Sequence, residues 1–172
     1  MNSPKLSELK KELGFKDTLA LQTICLRLAK YKTENKELLH YLLFYEDRKD
    51  DYVAEVKSIM LAEFDDLHPS IYYVTKQLRK LTRVMNKHIK YIADKNAETE
   101  LALYFSELFI NHPIANTSHK ALIGLLFRQL KRVDKLLVKL EEDLAFDYQQ
   151  QLDVLLSDLK KNRPSFQLYE IA

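Results

Sequence analysis

Apolar residues recur at alternating steps of three and four over most of the chain. The clearest example lies between Pro69 and Asp94, where one face carries Ile71, Val74, Leu78, Leu81, Met85, His88 and Ile92. This spacing is typical of a helix whose apolar stripe packs against other helices. It predicts a helix of about 26 residues, about 39 Å long, which we expect to be the element around which the domain is organised.

The same spacing predicts helices on both sides of this segment. Before it, we expect helices over residues 4–13, 18–32, 34–46 and 52–66. After it, we expect helices over residues 97–111 and from residue 118 onward. The helix over residues 34–46 carries apolar residues on most of its sides, and this predicts a central position.

The last apolar pattern continues from Ser118 to Lys161, and neither glycine nor proline marks an interruption near its middle. One helix of about 44 residues would be about 66 Å long, which exceeds the diameter of a domain of this size. We therefore expect a break near residues 142–147, with Asp143 or Asp147 as the new N-cap. The alternative is a projecting helix that pairs with another copy.

Glycine and proline are scarce, with two and four residues respectively in a chain of 172. This scarcity removes most of the turn chemistry that sheets and hairpins need. It favours an all-α fold, a single domain of seven or eight mostly antiparallel helices. We expect either a helical bundle or a short α-hairpin stack of the HEAT or tetratricopeptide kind. The helical domain is expected to cover residues 1–161, and a non-helical C-terminal tail residues 162–172.

Several features of the chain favour a cytoplasmic location without membrane insertion. Cys25 is the single cysteine, so no intramolecular disulfide can form, and its apolar neighbours predict a core position. The N-terminus has no apolar signal-peptide region. The longest apolar run, residues 121–127, is far shorter than the roughly 20 residues of a membrane span.

Residue spacings that carry catalysis or bind cofactors are absent from the sequence. There is no glycine-rich phosphate loop, no Gly-x-Ser-x-Gly turn and no cysteine–histidine pairing indicated by spacing. Glu37 and His40 have the spacing used in di-iron bundles, but no second such pair occurs to complete a site. His88 lies on an apolar stripe and is expected to be a hydrogen-bonded core or interface residue. We therefore expect no enzyme activity, no cofactor and no metal.

The charged residues are unevenly distributed along the chain, although its net charge is only +2. This uneven distribution is the feature of the sequence that points most directly to a function. The predicted helix at 69–94 carries only cations on its polar side, namely Lys76, Arg79, Lys80, Arg83, Lys87 and Lys90. The segment 120–139 carries six cations against Asp134 alone, while residues 141–158 contain six acids and no base. We call the cations of each of these two segments a basic stripe. Acidic helices that neutralise the basic stripes inside the fold would explain this pattern, and so would an anionic partner that binds them.

The interpretation we adopt is a non-enzymatic cytoplasmic protein-interaction or scaffold module that binds another protein, with association between copies left open. The alternative is a nucleic-acid-binding helical protein that contacts phosphates. Tyr72, Tyr73 and Tyr91 lie near the cations and would then serve as stacking platforms, but their helical positions suit the edges of the core equally well. In either case the expected binding residues are seven cations of the two basic stripes, namely Lys76, Arg79, Arg83, Lys87, Arg128, Arg132 and Lys135.

Overall fold

The computed structural model describes residues 4–162, and all regular structure within them is helical. The helices are α1 (Leu6–Leu13), α2 (Thr18–Tyr31), α3 (Thr33–Phe44), α4 (Lys49–Asp65), α5 (Ile71–Ile92), α6 (Lys95–Asn111), α7 (Lys120–Leu137) and α8 (Glu142–Asn162). A 3₁₀ turn, Pro113–Asn116, precedes α7. The expected all-α fold is confirmed. The predicted non-helical tail lies outside the described residues, except for Asn162, which ends α8.

Two compact units divide the chain, Met1–Asp47 with α1 to α3 and Arg48–Ala172 with α4 to α8. No proline, glycine or low-complexity linker marks this boundary in the sequence. Because the sequence carries no such signal between residues 47 and 48, it predicts one continuous helical domain across this boundary.

The N-terminal unit is built on α2 packed against α3. Asp17 caps α2 by accepting a hydrogen bond from the Ala20 amide at 2.7 Å, and the Asn35 side chain donates to the Leu28 carbonyl at 2.8 Å. Of the described side chains in this unit, only Tyr41 is buried.

Two expectations for the N-terminal unit are wrong. The segment around α3 was expected to be central, yet Leu43 and Phe44 are 65% and 58% exposed. Cys25 was expected in the core, and it is exposed. The physical reason is the same for both. Apolar residues surround α2 and α3 on several sides, while their mutual contact covers only one side of each helix.

The C-terminal unit is a helical bundle centred on α6, which packs against α4, α5, α7 and α8. Buried residues cover most of the circumference of α6, namely Ala97, Thr99, Leu101, Ala102, Leu103, Phe105, Ser106, Phe109 and Ile110. The expectation that the longest basic helix organises the domain is therefore wrong. One side of α5 is covered with cations and faces solvent, whereas α6 is apolar enough to be enclosed.

The four other helices follow one another around α6 in the order α4, α5, α7, α8, because neighbours in this series contact each other. The phenol oxygen of Tyr52 in α4 lies 2.7 Å from Nδ1 of His88 in α5. His88 is thus a hydrogen-bonded residue between two helices, as predicted. No helix within residues 4–162 is long and apolar enough to cross a membrane.

The predicted break in the long C-terminal pattern is confirmed, although it lies earlier than expected. Helix α7 ends at Leu137 and α8 begins at Glu142. The amides of Lys139 and Leu140 bond the carbonyls three residues before them, at 2.8 and 3.2 Å, which tightens and ends the helix. The two aspartates expected as caps, Asp143 and Asp147, lie inside α8.

Candidate interaction surface

Helices α5 and α7 are neighbours and run in the same direction. Near their C-terminal halves, the Arg132 guanidinium of α7 donates to Oδ1 of Asn86 in α5 at 2.6 Å. At the other end, Ile71 of α5 and Lys120 of α7 line the same concavity. Because early residues meet early residues and late residues meet late ones, the two helices are parallel.

The polar sides of these two helices face the same solvent region. On α5 the buried residues Val74, Leu78, Leu81, Met85 and Ile89 leave the cations on the opposite side. Arg79 and Arg83 lie seven and three residues before Asn86 and Lys90 lies four residues after it, so this helical spacing places them on the side next to α7. We call the exposed cations of this region the basic surface, consisting of Lys76, Arg79, Arg83 and Lys90 of α5 with Arg128 and Lys135 of α7.

None of these six cations forms an ion pair or hydrogen bond with any other part of the described chain, and Arg79, Arg83, Arg128 and Lys135 also make no contact with an aromatic ring. The acid in α7, Asp134, lies two positions beyond Arg132 and thus about 200° away around the helix. The stripes on α5 and α7 therefore lie side by side and keep an excess of positive charge towards solvent.

Arg132, which was also expected to bind a partner, makes contacts inside the fold. Its guanidinium contacts Oε1 of Glu98 in α6 at 2.6 Å as well as Asn86 in α5. The side chain is only about a quarter exposed, at 24%. Arg132 therefore joins three helices, and its charge is compensated before any partner arrives. Lys87 is also half-buried.

Lys90 was not among the binding residues predicted from the sequence. It lines a cleft with Asn86, Glu98 and Arg132 where α5, α6 and α7 meet. A sequence signal for it exists, since Lys90 lies seven residues after Arg83 and four after Asn86. That signal has meaning only once α7 is known to contact this side of α5.

Aromatic side chains border one end of the basic surface. Tyr72 and Tyr73 are 59% and 51% exposed, and their ring centroids lie 5.3 Å apart. The Lys76 ammonium lies 4.3 Å from the centroid of the Tyr72 ring, a cation–π contact. Tyr91 is buried and is therefore a core residue, the second of the two alternatives that its helical position left open. It packs against His88, with ring centroids 5.8 Å apart.

The N-termini of α5 and α7 add positive character at the same end of the surface. Neither N-cap residue, Ser70 nor His119, forms a side-chain capping hydrogen bond. Because the helices are parallel, the partial positive charges of both N-termini lie together. The concavity between them has a volume of about 660 Å³.

The spacing of Glu37 and His40 does not build a larger cluster. The His40 ring lies against Phe44 and Tyr45, with centroids 5.2 and 5.5 Å away. Residues 4–162 contain no group of three or more histidine, cysteine, aspartate or glutamate side chains arranged to hold a metal ion.

Comparison of the chain with protein families, with curated proteins and with solved structures found no match.

Proposed function

We propose that this chain is a non-enzymatic, cytoplasmic interaction module that binds an acidic protein through the basic surface. The observation that carries this proposal is the side-by-side position of the α5 and α7 stripes, with Arg79, Arg83, Arg128 and Lys135 exposed and unpaired. Exposed cations held on rigid helices attract an anionic partner at distance and fix its orientation on contact.

The weak net charge of the chain is compatible with this proposal. At +2, the whole molecule has little overall attraction for polyanions. The positive potential is concentrated on one face, so binding would depend on matched surfaces. The contact should weaken steeply as salt screens it, because the Debye length falls from about 10 Å at 0.1 M to about 3 Å at 1 M ionic strength.

A binding assay with a labelled acidic polypeptide, polyglutamate, tests the proposal. We expect Arg83→Glu combined with Arg128→Glu to weaken binding at least tenfold at low salt, about 1.4 kcal/mol, because two exposed cations become repulsive. Fluorescence anisotropy measures the affinity at about 50 mM and about 500 mM NaCl.

The matched control combines Arg27→Glu with Lys36→Glu, two exposed cations of the N-terminal unit with the same total charge change. This control should bind as the wild-type chain does. Equal losses in both double variants, or an affinity that salt does not change, would remove the basic surface from the proposed function.

The second candidate function is binding to single-stranded nucleic acid, and the exposed Tyr72 ring with Lys76 beside it favours this alternative. Base–aromatic stacking contributes roughly 1–3 kcal/mol per base. The same assay with an oligonucleotide distinguishes the two functions. Tighter binding to the oligonucleotide than to polyglutamate, weakened by Tyr72→Ala, would replace the protein partner with a nucleic acid.

A further inference from the structure

A groove lies on the other side of α6 from the basic surface, between α4 and α8. It has a volume of about 510 Å³ and exposes part of α6 between the two flanking helices. Carboxylates line it from two helices, Glu100 and Glu107 from α6 and Asp147 from α8. We call it the acidic groove.

The negative charge of the acidic groove is only partly compensated. Its single lining cation, Lys57 of α4, pairs with Glu100 at 2.5 Å and lies 5.2 Å from the Tyr104 ring centroid. Glu107 and Asp147 are exposed and pair with no other part of the described chain. Two carboxylates therefore remain available to a positively charged partner.

We propose that the acidic groove binds the basic surface of a second copy of this chain, head to tail. The inference rests on the proposed function, because it assigns that same basic surface a partner. Charge complementarity carries it. One five-helix unit presents unpaired cations on α5 and α7, and unpaired carboxylates on the side formed by α4, α6 and α8.

The groove also offers apolar contacts to the long side chains that would enter it. Val154 in its wall is 61% exposed, and Leu103 and Leu155 line the same space. The aliphatic stems of arginine and lysine pack on such surfaces while their charged ends reach carboxylates. Arg79 and Arg83 of a second copy would pack their aliphatic stems on this apolar wall. Their guanidinium groups would then pair with the carboxylates of Glu107 and Asp147.

The two surfaces differ, so each contact leaves one free surface of each kind on the assembly. Such heterologous contacts build rings where the rotation closes and open chains where it does not. Because the contact is rich in charge and poor in buried apolar area, it should be weak, concentration-dependent and sensitive to salt.

Sedimentation velocity of the full chain at low and high salt tests the inference with two neutralising variants. One variant combines Arg83→Gln with Arg128→Gln, and the other combines Glu107→Gln with Asp147→Asn. We expect the wild-type chain to associate at about 50 mM NaCl and to be monomeric at about 500 mM. Each variant alone should associate at least tenfold more weakly, because one of the two surfaces is lost in every copy.

An equal mixture of the two variants gives the decisive readout. Each supplies the surface that the other lacks, so the mixture should form dimers that grow no further. The control Arg27→Gln with Lys36→Gln should associate as the wild-type chain does.

Three outcomes would overturn the inference: a wild-type chain that stays monomeric at low salt, association unchanged in both neutralising variants, or a mixture that forms no dimers. Failure here is distinguishable from failure of the proposed function. A monomeric chain whose polyglutamate binding still depends on Arg83 and Arg128 would end the self-association and leave the binding surface in place.

Discussion

Tyr148 is a buried residue near the start of α8 whose hydroxyl donates a hydrogen bond to Oδ1 of Asn96 at 2.6 Å. Burial, as the largest cause, and the nearby carboxylates of Glu100, Asp94, Asp50 and Asp147 together raise the pKa of Tyr148 from 10.0 to about 12. The same negative surroundings that make the adjoining groove acidic therefore keep this phenol protonated.

Stability should depend on Tyr148 at alkaline pH. Between pH 10.0 and about 12, the unfolded chain releases the phenol proton while the folded chain retains it. The folded state then binds more protons than the unfolded state, so the free energy of unfolding falls as the pH rises. Urea unfolding measures this free energy across the range. The Tyr148→Phe variant has no phenol proton to lose, so its free energy of unfolding should fall less than that of wild type, and the difference between the two proteins should shrink as the pH rises.

The control for this measurement is Tyr31→Phe, at a tyrosine of α2 that is 78% exposed. It should follow the wild-type pH dependence throughout. A constant difference between Tyr148→Phe and wild type over the whole range would contradict the raised pKa.

At the scale of helices, the junction between α5 and α6 has an unusual backbone. Ala93 ends α5 with φ 51° and ψ 35°, and no other non-glycine residue in the described part of the chain has a positive φ. Asp94 follows and caps α6, accepting hydrogen bonds from the Asn96 and Ala97 amides at 2.8 and 3.1 Å. One helix thus ends and the central helix begins within two residues.

Glycine should fit the Ala93 position better than alanine does. A left-handed conformation costs an L-residue roughly 1–2 kcal/mol, and glycine avoids the steric part of this cost. Because glycine also loses more entropy on folding, we expect Ala93→Gly to raise the free energy of unfolding by about 0.5–1 kcal/mol in urea titrations.

Ala54→Gly is the control, at an exposed position inside α4. It should lower the free energy of unfolding by about 1 kcal/mol, because glycine is unfavourable inside a helix. If Ala93→Gly destabilises the protein as Ala54→Gly does, the left-handed geometry of the junction is wrong.

The helices themselves were predictable from apolar spacing, because a stripe that must be buried repeats every three to four residues. The helical pattern predicted a helix start at Pro69, although α5 begins at Ile71, and it placed the interruption after α7 too late. Two facts were not predictable, namely the central position of α6 and the parallel contact of α5 with α7. Both depend on which stripes face each other, and this is decided by long-range packing.

At the scale of the whole molecule, burial is distributed unevenly between the two units. Apart from Tyr41, every buried side chain within residues 4–162 belongs to the unit Arg48–Ala172. Helices α1 and α2 contain no buried residue. The free energy that holds helices folded comes mainly from buried apolar surface, so local stability should differ between the units.

Amide hydrogen exchange should report this difference. We expect the amides of α6 to be the most protected, exchanging only through global opening, and those of α1 and α2 to exchange several orders of magnitude faster through local opening. Mass spectrometry of peptic fragments measures both, with the unfolded chain as the reference for intrinsic rates. Protection of α2 equal to that of α6 would show that the N-terminal unit has a source of stability beyond its own packing.

The basic surface was predictable in its residues and not in its arrangement. Five of the seven cations expected to bind a partner are exposed, namely Lys76, Arg79, Arg83, Arg128 and Lys135. The exposed side of a helix follows directly from its apolar stripe. The pairing of Arg132 with Glu98 could not be predicted, since those residues lie on different helices and only the packed fold brings them together.

The central position of α6 has a consequence for how the protein is made. Synthesis proceeds from the N-terminus at about 5–20 residues per second, so α6 leaves the ribosome about 1–4 s after α5. During that interval the apolar stripes of α4 and α5 lack the helix against which both pack in the folded unit. The nascent chain therefore exposes apolar surface on α4 and α5 until α6 emerges.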